Sequence, residues 1–529
     1  MLLLFIVRYN KNDYEKALQR LTSTIGNNIS EGAKKADSFF SSACIYRVPE
    51  ELRKVKESAY TPRLIAIGPL HRKDKHLQTP MQQVKMSYTN YLLCRLTDGM
   101  DAESARQRKF TVLQDCLAEI KTSLDDARKC YAEEVALDEE MMLVDGCFIL
   151  EVLYKFYEKN IHKEEEKIPF STGGDNGSSK AAKPTRREKE SDEGEIPPQT
   201  LLPRGEDGIK GSGRQKPKDP IFGSILTANT VQLDLLLLEN QIPFFVLDRL
   251  FRLTVDQIQI GTDRPLKFSL ANYVSFYFQN LMTPEGNSTN KTSGSPNDCV
   301  LWVSGDQMVN SKQESNYHHI LHIIHEDYHP REQAEKKVRN ELMPPASELD
   351  YAGIKFVPCT GDDLFKFKFK FTEPKGPFWW CRRACFEIPA LGIYDPTESF
   401  LRNLIAFEQC LPGVSQHFTS YAFLMDKLVN ADKDVQVLEK AGVVHNYLGA
   451  SEEAAHLFNK LCKEAALGEF LFAHPCHKAA EYSKRCWPKN MADVRRMYFA
   501  NPWTFIAFCL GFIAFGITIT QFVFLFIYK

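Results

Sequence analysis

Three carboxylates and four histidines are the side chains of this sequence whose types and settings suit chemistry. Glu239 stands with Asn240 and Gln241 at the centre of "LDLLLLENQIPFFVLDRLF", residues 233–251. An unpaired charge or amide buried in so apolar a run is costly, so these three groups need partners. Glu408 and Gln409 repeat the order in "NLIAFEQCLP", again just ahead of an aliphatic residue and a proline, and Asp145 sits in "VDGCF". Brought to one open pocket, Asp145, Glu239 and Glu408 would supply acid/base or metal-assisted hydrolysis. Spread through a core, Glu239, Asn240, Gln241, Arg402, Asn403, Glu408 and Gln409 would form a buried polar network that fixes how blocks pack, and this is the favoured expectation. Arg402, six residues before Glu408, is the expected cation for it.

The histidines lie in "YHHILHIIHEDYHP". His318, His322, His325 and His329 fall at intervals of four, three and four, which places them along one face of a helix, as metal ligands can be. An exposed His-rich helix needs no metal, and "HPCH" at His474–His477 is a weaker arrangement still. No GxSxG elbow, P-loop or HExxH motif occurs, and no cofactor is expected. The fourteen cysteines include no CxxC pair, which argues against a zinc framework and for buried free thiols. A net charge of −2 gives no reason to expect nucleic acid as a partner.

The elements that must hold these side chains read as mainly α-helical. "VKMSYTNYLLCRL", "FTVLQDCLAEIKTSL" and "YAFLMDKLVNADKDVQVLEKAGVV" carry apolar residues at helical spacing, with Asp432 and Asp434 where a new helix begins. The segments "LLENQIP" and "FEQCLP" each read as a helix ending at a proline. "FKFKFKF", residues 365–371, alternates with period two, and "CFEIPALGIYD" suits a partner strand, so a small antiparallel β element is predicted. "GPLHR", residues 68–72, reads as a turn supporting the N-terminal core. Composition divides the chain into an N-terminal helical segment (1–43), a first helical block (44–156), a polar loop (157–220), a central helical block (221–282), a variable region (283–350), and a β element with a C-terminal helical block (351–500). The 157–220 segment is rich in Gly, Ser, Pro, Lys and Glu and is expected to be disordered; 283–298 marks a second exposed connection.

Residues 503–528 hold no charge and are long enough to cross a hydrocarbon core of about 30 Å, with Trp503 and Tyr528 at the ends. They are expected to be a single transmembrane anchor. Lys484, Arg485, Lys489, Arg495 and Arg496 precede it and Lys529 follows, which would put the large domain in the cytosol; sequons at Asn28, Asn176, Asn287 and Asn290 point the other way. The opening "MLLLFIV" is short for a signal peptide and no basic residue precedes it, so the side of the membrane stays open.

Taken together, "CIYRVPEELRKVKESAYTPRLIAIGPLHR", "MMLVDGCFILEVLY", "LDLLLLENQIPFFVLDRLF", "IPALGIYDPTESFLRNLIAFEQC", "DVQVLEKAGVVHNYLGASEEAAHLFNKLC" and the closing "NPWTFIAFCLGFIAFGITITQF" resemble the plant family named for domain of unknown function 247. The likeness runs from about Cys44 to Tyr528, with breaks at the polar loop and around 283–350. It implies a plant, single-pass membrane protein, expected at the plasma membrane, some of whose relatives are associated with self-incompatibility in grass pollen. It names no reaction. The reading that results is a membrane-anchored protein acting through a protein partner in recognition or signalling, with a membrane-anchored hydrolase using the carboxylates as the alternative.

Overall fold

The helix Glu139–Glu165 organises the N-terminal half, because its side chains from Met141 to Tyr154 are buried on every face. A helix apolar on nearly every face, interrupted here only by Asp145 and Glu151, has to be enclosed by others. In this computed structural model, which describes residues 2–78, 80–165, 219–260, 268–279, 281–282, 317–329, 343–359, 367, 369–376, 382–485, 490, 493, 497 and 502–527, it is the fifth of the helices described. It follows α1 (Leu2–Ser42), α2 (Glu50–Val55), α3 (Met81–Arg95) and α4 (Ala102–Lys129). After it come α6 (Ile225–Asp234), α7 (Phe244–Leu253), α8 (Val255–Ile260), α9 (Leu270–Phe278), α10 (Ile320–Asp327) and α11 (Ala346–Tyr351). The C-terminal part adds α12 (Thr397–Cys410), α13 (His417–Leu428), α14 (Asp432–Lys440), α15 (Ser451–Leu461), α16 (Ala473–Ser483) and α17 (Pro502–Ile527). Helix α5 packs against α3, α4, α7 and α9, while α12, α13 and α15 pack together farther along. One connected apolar core runs from Cys44 to Tyr482.

The helix that begins at Asp432 does so because Asp434 reaches back to accept the N–H groups of Asn430 and Ala431 at 3.1 and 3.0 Å, and that of Ser347 at 2.9 Å. The protein is mainly helical with small sheets. Strands β1 (Ile354–Pro358), β2 (Lys370–Thr372) and β3 (Ala384–Ile388) form one sheet in the order β1-β3-β2. The predicted antiparallel pair is present as β2 with β3, Phe371 opposite Phe386, although of "FKFKFKF" only Lys370 and Phe371 lie in the strand and residues 365, 366 and 368 lie outside those described. Two features differ from the expectation. Strand β1 joins β3 in parallel, and "CFEIPALGIYD" is divided at Pro389, which has no N–H for a ladder. Its second half, β4 (Leu391–Ile393), pairs in parallel with β5 (Val444–Asn446).

The bounds drawn at 157 and 220 also move. Helix α5 continues to Glu165, with Tyr157 buried against Phe268 and Tyr273, because helical spacing carries Tyr154 and Tyr157 onto one enclosed face. At the other end Asp219 accepts from the Tyr88 hydroxyl at 2.7 Å and faces Lys155 at 2.5 Å. Residues 166–218 and 283–316 lie outside the described residues, and with them the sequons at Asn176, Asn287 and Asn290; Asn28 is exposed on α1. The region 283–350, set apart as variable, contributes Ile320, Leu321, Ile323 and Ile324 to the core. Helix α17 has a mean hydropathy of 2.2 over its most apolar window and none of that window is buried, so it is long and apolar enough to cross a membrane.

Candidate functional site

The stretch from Leu235 to Ile242 is not helical. It is a buried loop between α6 and α7, and Pro243 precedes a helix instead of ending one. Proline keeps Ile242 extended and carries a φ suited to a helix start. A loop sealed in the core leaves backbone groups without water, and the polar side chains answer them. Gln241 Nε2 donates to the carbonyls of Leu235 and Leu237 at 2.7 and 2.9 Å. Asn240 Nδ2 donates to those of Ile65 and Asp234, while its Oδ1 accepts the Ile67 N–H at 2.6 Å. Asn403 on α12 accepts the Leu238 N–H at 3.0 Å and donates to the Ala59 and Ser399 carbonyls. Asp234, which sequence reasoning passed over, accepts three successive N–H groups, Arg63, Leu64 and Ile65. Its signal was a lone carboxylate ahead of four leucines.

Glu239 points to the N-terminal segment. Its Oε1 accepts the Val48 N–H at 2.7 Å and pairs with Arg53; Oε2 lies 3.5 Å from the Arg47 guanidinium and 3.1 Å from His71 Nε2, off the in-line hydrogen-bond direction. Burial pushes this carboxyl up, but His71, the Val48 N–H and Arg53 outweigh it and hold the group below its ordinary range. Asp145 has a separate cage, with Lys85 Nζ at 2.5 Å and the Gly68 N–H at 2.9 Å, and here burial wins and raises the carboxyl. Gly68 is in the left-handed region at φ 69°, and a Cβ there would stand 2.7 Å from the Gln241 carbonyl oxygen. "GPLHR" is thus a turn whose backbone serves Asp145 and whose His71 serves Glu239. Asp145 and Lys85 border a cleft of about 360 Å³ with Arg72, Gln82 and Glu140. Neither Glu239 nor Glu408 lines that cleft.

Glu408 sits in a third cage. Its Oε1 accepts the Phe418 N–H at 2.8 Å and faces His325 Nε2 at 2.9 Å; its Oε2 accepts the Thr419 N–H and hydroxyl at 2.7 and 2.6 Å. The expected cation, Arg402, is engaged elsewhere, with Glu398 at 2.8 Å and the Lys460 carbonyl at 3.0 Å. The reason is helical geometry: residues four apart share a face and residues six apart do not. Gln409 bonds Ala466 in both directions and reaches the Thr419 hydroxyl.

The four spaced histidines do not gather around one point. His318 precedes α10 and stacks on His322 at 4.8 Å, the His322 and His325 rings are 6.5 Å apart, and His329 lies past the helix with its ring 5.3 Å from that of His417. His325 instead meets Glu408 and His417, and one ligand atom from each of the three lies within 4.8 Å of the others. His417 was not singled out from the sequence, where it is an isolated histidine in "SQHFTS". Burial keeps His417 well below the ordinary imidazole range; burial also lowers His325, but Glu326 and Glu408 more than offset it and raise that ring. In the "HPCH" stretch His477 approaches Glu481 at 3.6 Å. The described cysteines are free thiols, with Cys44, Cys116, Cys147, Cys359 and Cys476 buried.

A family model described as DUF247, a plant protein of unknown function, matches residues 45–517. The chain belongs to the DUF247 family. The match takes in all three carboxylate cages and the histidine cluster, so these lie within the family domain. Among curated proteins the chain is similar to UPF0481 protein At3g47200 of Arabidopsis thaliana, 25% identical over 94% of this chain and 90% of that protein. It is also similar to the putative UPF0481 protein At3g02645 of the same plant, 25% identical over 32% of this chain and 31% of that one. No solved structure matches this DUF247 chain.

Proposed function

We propose that this DUF247 protein is a membrane-tethered recognition module. A rigid helical domain engages a protein partner at a membrane, the plasma membrane being the compartment in view, and pollen self-recognition is one setting for it. The supporting observation is how the buried carboxylates are used: Asp145, Glu239 and Glu408 occupy three separate cages, of backbone N–H groups with Lys85, with Arg53 and with His325 respectively, each joining segments distant in sequence. Such groups hold a scaffold in one arrangement. Helix α17 supplies the tether. Residues 166–218, rich in Gly, Ser, Pro, Lys and Glu, are of a composition free to vary, a suitable place for specificity.

Two expected outcomes test this reading. Removing the chain from Trp503 onward should move the protein from the membrane to the soluble fraction in cell fractionation; a truncated protein that still pellets with membranes refutes the tether. Replacing residues 166–218 by a short Gly/Ser linker should leave the Tm within about 3 °C, since loop length weighs only logarithmically on stability. The same replacement should change the set of neighbours captured by proximity labelling at the membrane. A hydrolytic turnover abolished together by Asp145→Asn and Glu408→Gln, at unchanged Tm, would replace recognition with catalysis.

A further inference from the structure

We infer that His325, Glu408 and His417 form a binding site for a divalent transition-metal ion that braces α10 against the α12–α13 pair. The hydrogen-bond pattern carries this. His417 Nε2 faces the His325 carbonyl oxygen at 3.1 Å, and a carbonyl can only accept, so Nε2 carries the proton. In the neutral ring the lone pair is then on Nδ1. That nitrogen is fully buried, has no hydrogen-bond partner, and lies 4.0 Å from Glu408 Oε1. A bare imidazole lone pair and a carboxylate oxygen thus face each other inside the core with no proton between them, an arrangement that a cation relieves and that otherwise costs stability.

The third donor is poised as well. His325 Nε2 lies 2.9 Å from the same Glu408 oxygen, and its Nδ1 lies 3.4 Å from Glu326 Oε1. A metal-bound histidine typically gives its other ring proton to a carboxylate or a carbonyl. Here His325 has Glu326 in that role and His417 has the His325 carbonyl. On loading, the ion takes the place of the His325 Nε2 proton. Two imidazoles and one carboxylate suit Zn²⁺ or a neighbouring first-row ion, bound at about 2.0–2.2 Å from each donor. Donors bound tetrahedrally at that distance stand about 3.4 Å apart, so the 4.0 Å between His417 Nδ1 and Glu408 Oε1 has to close, and the 2.9 Å between His325 Nε2 and the same oxygen to open, each by about 0.5 Å, within reach of side-chain rotation. The Ser415 carbonyl, 3.1 Å from His325 Nε2, offers a further oxygen at the edge. This assignment is separate from the recognition reading and stands or falls without it.

The test is metal binding by the untagged, full-length protein in detergent, stripped with a chelator and titrated with Co²⁺ alone. The wild type is expected to take up one equivalent and develop the visible d–d absorption of a low-symmetry nitrogen–oxygen site. His417→Ala should lose that spectrum and bind at least about 100-fold more weakly. Glu326→Gln, on the exposed side of α10 and outside the ligand set, should fold normally and bind about 10-fold more weakly. It decides the matter if His417→Ala does not fold. His318→Ala should leave the titration unchanged. Absence of stoichiometric Co²⁺ uptake overturns the site, and so does wild-type affinity in both His417→Ala and Glu326→Gln, which would place the ion on other histidines.

Discussion

Glu239→Ala is expected to destabilise the domain ending before Trp503 by about 3–5 kcal/mol, enough to leave much of it misfolded on expression. The substitution strands groups that have no water to turn to. Arg53 is mostly covered, His71 is 5% exposed as a side chain, and the Val48 N–H is buried. Glu239→Gln keeps the shape and an oxygen for the Val48 N–H, so its loss should be smaller, and the order wild type, Gln, Ala in thermal unfolding is the signature of a structural carboxylate. Acid should act in the same direction. The folded-state carboxyl is held below its ordinary range, so its contribution is complete above about pH 4.5 and fades as pH falls through the depressed value. An alanine variant with wild-type Tm would refute this account of the loop and bring acid/base use of Glu239 to the front.

The second large effect belongs to the Lys85–Asp145 pair. Lys85→Met leaves Asp145 charged and 2% exposed with only the Gly68 N–H to meet it, a loss again of about 3–5 kcal/mol, which in a domain of this size lowers the Tm by about 3–6 °C. Burial already raises this carboxyl, and without Lys85 it rises further. A carboxylate whose folded pKa lies above its unfolded value loses stability as pH increases between the two; wild type and Lys85→Met share the first part of that loss, so the gap between them should widen only as pH rises past the wild-type carboxyl's own raised value. Adding Asp145→Asn removes the charge and keeps an oxygen for Gly68. The double variant should recover more than half of the loss. If Lys85→Met unfolds within about 1 °C of wild type, the pair contributes nothing to the fold, and its place beside the 360 Å³ cleft becomes its function.

Local pattern was enough for what neighbours along the chain decide. The helix start at Asp432, the helix ending before Pro412, the antiparallel pairing around Phe371 and the apolar run from Pro502 each depend on residues a few positions apart, where periodicity, capping and proline act directly. The same local view showed that Glu239, Asn240 and Gln241 required partners. It did not show who they were. The Val48 N–H that meets Glu239 is 191 residues away in sequence, the Asn403 oxygen that meets Leu238 is 165 away, and His417 is 92 from the His325 carbonyl that sets its tautomer. Spacing along a helix suggested four histidines for one ion and Arg402 for Glu408. Packing sent His325 to Glu408 and His417, and Arg402 to Glu398. Burial demands that a charge be satisfied, and this demand is written in the residue and its apolar neighbours. Which group satisfies it depends on how distant segments are brought together, and that is fixed only when the core closes.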